Sequence, residues 1–148
     1  MSEPAAKVAF TVIGEPLGKG RPTFSTRGGF MRAITPEKTV NYETLVKMEY
    51  QAQCDGYAFS RSDALGMKIT AYKPIPKSTS KRKLLLMLER LIRPAKKPDW
   101  DNIGKVVCDA LNKVAFYDDA QIVDGRVIKV YSDQPRVEVE IWREGESG

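Results

Sequence analysis

The chain has 148 residues, 42% hydrophobic and 29% charged, the composition of a globular domain long enough to bury a core without disulfides or structural metal. It contains no histidine, which excludes Ser-His-Asp and Cys-His catalysis and His-ligated zinc; hydrolytic chemistry would have to rest on carboxylates, lysines, hydroxyls or a hard metal ion on oxygen ligands. The net charge of +5 is uneven: residues 1–98 carry eighteen Lys and Arg against eight Asp and Glu, and residues 99–148 carry six against eleven.

Residues 7–13, KVAFTVI, read as a first strand with Val8, Phe10 and Val12 on one face. Glycine and proline punctuate GEPLGKGRPTFSTRGGF, which predicts a loop and then a hairpin turning at Gly28-Gly29. A helix is expected from about Pro36 to Gln53, with Thr35 as N-cap and Pro36 at the first helical position. Residues 55–65 read as a polar connection and GMKITAYKPI as a second strand ended by prolines. STSKRKLLLMLERLI predicts a short helix starting at Ser78 or Ser80; its basic first turn opposes the helix dipole, a conflict that a bound anion would offset. The linker RPAKKP follows.

The clearest helical signal lies in residues 101–114. Ile103, Val106, Val107, Ala110, Leu111 and Val114 form an apolar stripe, and Asp101, Lys105 and Asp109 line the opposite face four residues apart. AFYDDAQIVDGRVIKVY then passes from a loop into a strand near Gln121. PRVEVEIW alternates, with Val137, Val139 and Ile141 on one face and Glu138 and Glu140 on the other, as in a strand with one wet side. The tail EGESG is expected to be disordered. The order of elements predicts one α+β domain over residues 1–148, a small mixed β-sheet flanked by helices.

No apolar run is long enough to span a bilayer, and the start MSEPAAKVAF lacks a signal-peptide core, so a cytoplasmic protein without a membrane partner is expected. Cys54 and Cys108 have no C-x-x-C spacing and read as reduced structural thiols. The basic excess peaks over residues 73–97, where Lys73, Lys77, Lys81, Arg82, Lys83, Arg90, Arg93, Lys96 and Lys97 face only Glu89. That asymmetry points to a polyanion, nucleic acid before membrane, against the plainer reading of a solvated surface.

Directly after that stretch, KKPDWDNIGK sets Asp99 and Asp101 one residue apart at a helix start. Either aspartate can cap the helix, and together they can supply oxygen ligands to magnesium, which takes one or two protein carboxylates beside water and phosphate oxygens. Asp118 and Asp119 open the next strand as further ligand candidates, with Asp109 and Asp124 behind them. Lys105, one turn into the helix, would stabilise charge in phosphoryl transfer or simply pair with Asp101.

The string KKPDWDNIGKVVCDALNKVAFYDDAQIVDGRVIK resembles the signature region of the RusA family of Holliday junction resolvases, and EPLGKGRPTF and ITPEKTVNYE resemble the amino-terminal segments of its phage and prophage members. The resemblance implies a homodimeric, Mg2+-dependent endodeoxyribonuclease (Mn2+ substituting) that nicks four-way junctions symmetrically in DNA recombination and repair. It places catalytic and metal-binding roles on Asp99, Asp101 and Asp119, and a catalytic role on Lys105. It leaves Asp118 open as the alternative to Asp119 and gives Asp109 no fixed role.

Lys19 and Arg21, in the glycine-rich GKGRP, are candidate phosphate contacts, as are Lys81, Arg82, Lys83, Lys96 and Lys97. Arg27 and Arg32 flank the hairpin, whose Phe24 and Phe30 would either meet unstacked bases or form an apolar hairpin face. Trp100 is expected to pack into the core. The competing functions are a non-catalytic branched-DNA-binding protein and a magnesium-dependent nucleotide phosphohydrolase.

Overall fold

A computed structural model describes residues 7–148. Its elements in chain order are β1 (Lys7–Ile13), β2 (Thr23–Ser25), β3 (Arg32–Ile34), α1 (Glu37–Cys54), β4 (Asp63–Pro74), α2 (Lys81–Leu88), α3 (Trp100–Leu111), β5 (Ile122–Ser132) and β6 (Arg136–Glu146), with a single 3-10 turn at Asp119–Gln121. Four strands form one mixed sheet in the order β1-β6-β4-β5, while β2 and β3 pair only with each other.

The strand patterns explain this order. In β4, Leu65, Met67, Ile69 and Ala71 are all buried, as suits a strand with a neighbour on both sides. β4 pairs parallel with β5 and antiparallel with β6. A parallel pair needs a crossover, which α2, the 93–98 linker and α3 supply. The alternation in β6 turns Val137, Val139 and Ile141 into the core and leaves Glu138 and Glu140 on the other face, where Glu140 meets Lys7 at 2.6 Å.

Helices α1 and α3 cover the apolar face. Val46 and Tyr50 of α1 and Ile103, Val106, Val107, Ala110 and Leu111 of α3 join Phe10, Val12 and the inward residues of β4 and β6 in one cluster. Each fully buried large aliphatic side chain contributes about 1.5–3 kcal/mol, so the α3 stripe alone anchors that helix firmly. Trp142 lies across Gly66 so closely that a Cβ there would stand 2.2 Å from the indole.

The α+β fold agrees with the expected one, and several boundaries move. Pro36, not Thr35, is the N-cap of α1, and no side chain caps that end. β4 begins at Asp63, inside the stretch expected as a polar connection. α2 starts after Ser80, whose side chain accepts from Lys83 N, and stops at Leu88, before Arg90 takes a left-handed φ of 64°. α3 ends at Leu111 rather than Val114, followed by Lys113 at φ 64°. The tail expected to be disordered instead continues β6 to Glu146, and Ser147 N donates to Ser62 O at 2.7 Å. Among the described residues, no helix is long and apolar enough to cross a membrane.

Candidate active site and nucleic-acid interface

The start of α3 is where the glycine-rich loop, the basic linker and β5 converge. Lys19 N donates to Asn102 O at 2.9 Å, and Gly20 N donates to the buried Thr39 hydroxyl at 3.0 Å. A Cβ on Gly18 would stand 2.9 Å from Pro98 Cβ and 3.0 Å from Asn102 Cβ, so the absent side chain lets this loop lie directly on α3. On the other side, Arg93 Nε donates to Lys129 O at 3.2 Å and the Lys129 ammonium donates to Lys96 O, which holds the linker on β5.

Two grooves meet at Asp99, and Asp101 lines the first of them. The larger, about 840 Å³, is lined by Arg93, Lys96, Lys97, Arg126 and Lys129 around Asp99, Trp100 and Asp101. The smaller, about 420 Å³, brings Lys19, Arg21, Lys73 and Lys97 beside Asp99 and Asn102. Asp99 occupies the N-cap position of α3, yet its side chain makes no capping hydrogen bond. Asp101 is exposed in the first turn, and the ion pairs of α3 involve Asp109, not the D-x-D pair. Both carboxylates thus face the basic grooves uncommitted to the helix.

The other expected ligands lie elsewhere. Asp119 lies close enough to Asp109, Cys108 and Lys105 to feel or impose their charges. Asp109 is two turns, or about 12 Å of helix rise, beyond Asp101. Among the described residues, no three His, Cys, Asp or Glu side chains stand close enough to hold one ion. Asp119 thus has Lys105 and Asp109 for charged neighbours, beside the middle of α3. Asp124 is exposed on β5 and lines neither groove.

The two aspartates of DDAQ differ in environment. Asp118 caps the 3-10 turn: its carboxylate accepts from Ala120 N at 3.1 Å, and that bond, with the neighbouring Asp119, lowers its pKa. Asp119 is shifted upward by burial and by the carboxylates of Asp118 and Asp109, with Lys105 opposing. Gln121 belongs to the scaffold, its Oε1 accepting from Tyr117 N and Asp118 N and its Nε2 donating to Ser60 O and Asp63 O.

Lys19 departs from its expected phosphate role. Its ammonium lies 2.5 Å from Glu43 Oε1 and 3.1 Å from Asp109 Oδ2. Burial opposes its charge, but these two carboxylates outweigh burial and raise its pKa. Lys105, largely exposed, stands 4.0 Å from Asp109. Arg21, Lys96 and Lys97 do line the grooves, whereas Lys81, Arg82 and Lys83 are exposed on the first turn of α2 and line neither. Trp100 is 65% exposed rather than buried, since it sits at the groove margin, ahead of the first core residue of the α3 stripe, Ile103. Sequence reasoning missed Arg126 and Lys129, which the parallel β4–β5 pairing brings alongside the start of α3.

The chain is thus an α+β domain with paired carboxylates at the start of α3 beside two basic grooves. The family model described as "Endodeoxyribonuclease RusA" matches residues 14–142. The chain belongs to the RusA family, which comprises Holliday junction resolvases. It is also similar to "Uncharacterized protein YqaN" of Bacillus subtilis (strain 168), with 40% identity over 139 residues that cover 90% of this chain and 94% of that protein.

Proposed function

We propose that this chain is a divalent-metal-dependent endodeoxyribonuclease that resolves four-way DNA junctions by paired nicks in recombination and repair. The observation that carries this reading is the pair of carboxylates at the start of α3: Asp99, whose side chain makes no capping bond and lines two grooves rich in Arg and Lys, and Asp101, which lines the larger of the two. Their donor set fits magnesium, which binds hard oxygens and is satisfied by one or two carboxylates with water and substrate phosphate completing its shell. Manganese suits the same ligands. A cation held there would polarise the scissile phosphate and favour hydroxide at neutral pH.

The remaining roles belong to the chain's own side chains. Arg21, Lys96, Lys97 and Arg126 would hold the phosphate backbone against the D-x-D pair, while Lys73 is paired with Glu15 at 3.1 Å. Lys105, one turn into α3 with a largely exposed ammonium, would reach toward charge developing on the reacting phosphate. Asp119 would act from beside Lys105 and Asp109, with Asp118 fixed as the cap of the 3-10 turn. A C2 homodimer would present two such sites to a two-fold symmetric junction and cut opposing strands in equivalent positions.

One observation favours a second reading, a branched-DNA-binding protein without catalysis: among the described residues no three His, Cys, Asp or Glu side chains form a group that could hold a metal ion. The two are separated by incubating a four-way junction, labelled on each strand in turn, with the protein in Mg2+, in Mn2+ and in chelator. Symmetric nicks in opposing strands that require the metal support the nuclease. A tight complex with no nick in either metal supports the binding protein.

A further inference from the structure

The β2–β3 hairpin carries an apolar surface that the described residues leave uncovered. Phe24, Phe30 and Met31 are 68%, 74% and 74% exposed. The strands are three residues each and, among the described residues, pair only with one another, with Phe24 opposite Ala33 and Ser25 opposite Arg32. Gly28 and Gly29, both at φ 85°, make the turn, which Arg32 braces by donating to Arg27 O. These side chains form an apolar hairpin face open to solvent among the described residues.

The charge around this surface is one-sided. Between Pro16 and Pro36, flanked by Glu15 and Glu37, lie Lys19, Arg21, Arg27 and Arg32 and no Asp or Glu; Lys19 is held by Glu43 and Asp109, which leaves the three arginines around the hairpin. An exposed apolar tip in an all-basic segment is poorly suited to a protein partner of ordinary surface charge, but suits a polyanion with accessible flat apolar faces, which is a nucleic acid with unstacked bases. The hairpin is also mounted on the site. Its leading strand follows the Gly18–Gly20 loop that lies on α3, and Arg21 lines the groove containing Lys97 and Asp99. From Thr23 to the turn, the hairpin can extend about 15 Å from that anchorage.

Resting on the junction-resolving reading above, we infer that the β2–β3 hairpin is a branch-point probe: Phe24 and Phe30 stack on bases exposed where strands exchange, while Arg21 and Arg27 hold the flanking phosphates. Continuous duplex keeps its bases stacked and offers these rings nothing, so the hairpin confers selectivity for branched over linear DNA. Arginine contacts to phosphate exist in both substrates and add affinity without discrimination.

The test uses the full chain and its Phe24→Ala/Phe30→Ala variant, with binding measured in chelator on a four-way junction and on a duplex of the same arm sequence. A 2-aminopurine at the branch point reports unstacking. Because both side chains are exposed, the variant should keep the wild-type circular dichroism and melting temperature. Expected are a loss of at least about tenfold in junction affinity, duplex affinity within about twofold of wild type, and loss of the 2-aminopurine enhancement that wild type produces. Arg27→Gln should weaken both substrates alike. If wild type prefers the junction and the double variant keeps that preference and the fluorescence change, the hairpin assignment is wrong while the nuclease reading stands. If the double variant instead dissociates a dimer in sedimentation, the rings serve self-association and the assignment is overturned. If wild type shows no preference for the junction, the functional reading fails and this inference with it.

Discussion

Lys19 Nζ lies 3.1 Å from Asp109 Oδ2, tying the glycine-rich loop to the middle of α3. Glu43 of α1 shares the same ammonium, so three segments meet at one partly buried cation. The GKGRP motif thus serves first to fix the loop that lines the groove beside Asp99, and Arg21 is left as its outward charge.

Asp109→Asn should therefore destabilise the fold rather than act only on catalysis. Weakening a charge-assisted bond to a partly buried lysine costs about 1–3 kcal/mol, and Lys19→Met should cost a similar amount. Their double variant should lose less than the sum, because the residues share a partner. Urea unfolding of the four proteins measures this coupling. Strict additivity would mean that the contact carries no energy.

Gly18→Ala tests the contact between loop and helix. The new methyl would press on Pro98 and Asn102, and the loop must shift to relieve it. A loss of about 1–3 kcal/mol is expected from overpacking, with weaker DNA binding through the displaced Arg21 groove. Thermal melts and anisotropy on one junction check both. Unchanged values in both would show that the loop is not held against α3.

Cys108 gives a prediction about pH. Burial, reinforced by the charges of Asp119 and Asp109, pushes its thiol up to about 12 from an ordinary value of 9.0. At pH 8 only about one thiol in ten thousand would be ionised, so iodoacetamide should label native Cys108 far more slowly than the unfolded chain. The sign for stability follows from the neutral form being favoured in the fold. The contribution is complete below pH 9 and is lost as pH rises from 9 towards about 12, where the unfolded thiol ionises and the folded one does not. Peptide mapping after timed alkylation measures the first effect, and urea midpoints between pH 8 and 10.5 measure the second in wild type against Cys108→Ala.

Much of this fold can be read in the sequence where a single periodicity dominates. The α3 stripe from Ile103 to Leu111 and the β6 alternation of Val137, Val139 and Ile141 each bury against one face, so local pattern and tertiary packing agree. The Gly28-Gly29 turn was legible for the same reason, since both positions need φ above zero. Strand order was not, because the parallel pairing of β4 with β5 depends on a crossover of nearly fifty residues rather than on either strand's pattern. At the site, D-x-D was visible as a motif, but the partners of Lys19, the exposure of Trp100 and the approach of Arg126 and Lys129 are products of packing. Asp118 and Asp119 look equivalent as letters, and only the capping bond to Ala120 tells them apart.

The measurement that bears most directly on the central claim is junction cleavage by Asp101→Asn in parallel with junction binding. The substitution keeps the shape of an exposed side chain in the first turn of α3, so fold and DNA affinity should remain close to wild type. Cleavage in magnesium should fall by at least about a hundredfold, as expected when a group acting on the reacting phosphate is removed. A variant that binds but does not cut places Asp101 in the catalytic machinery. A variant that cuts as fast as wild type would contradict the account and reduce the D-x-D pair to part of the helix start.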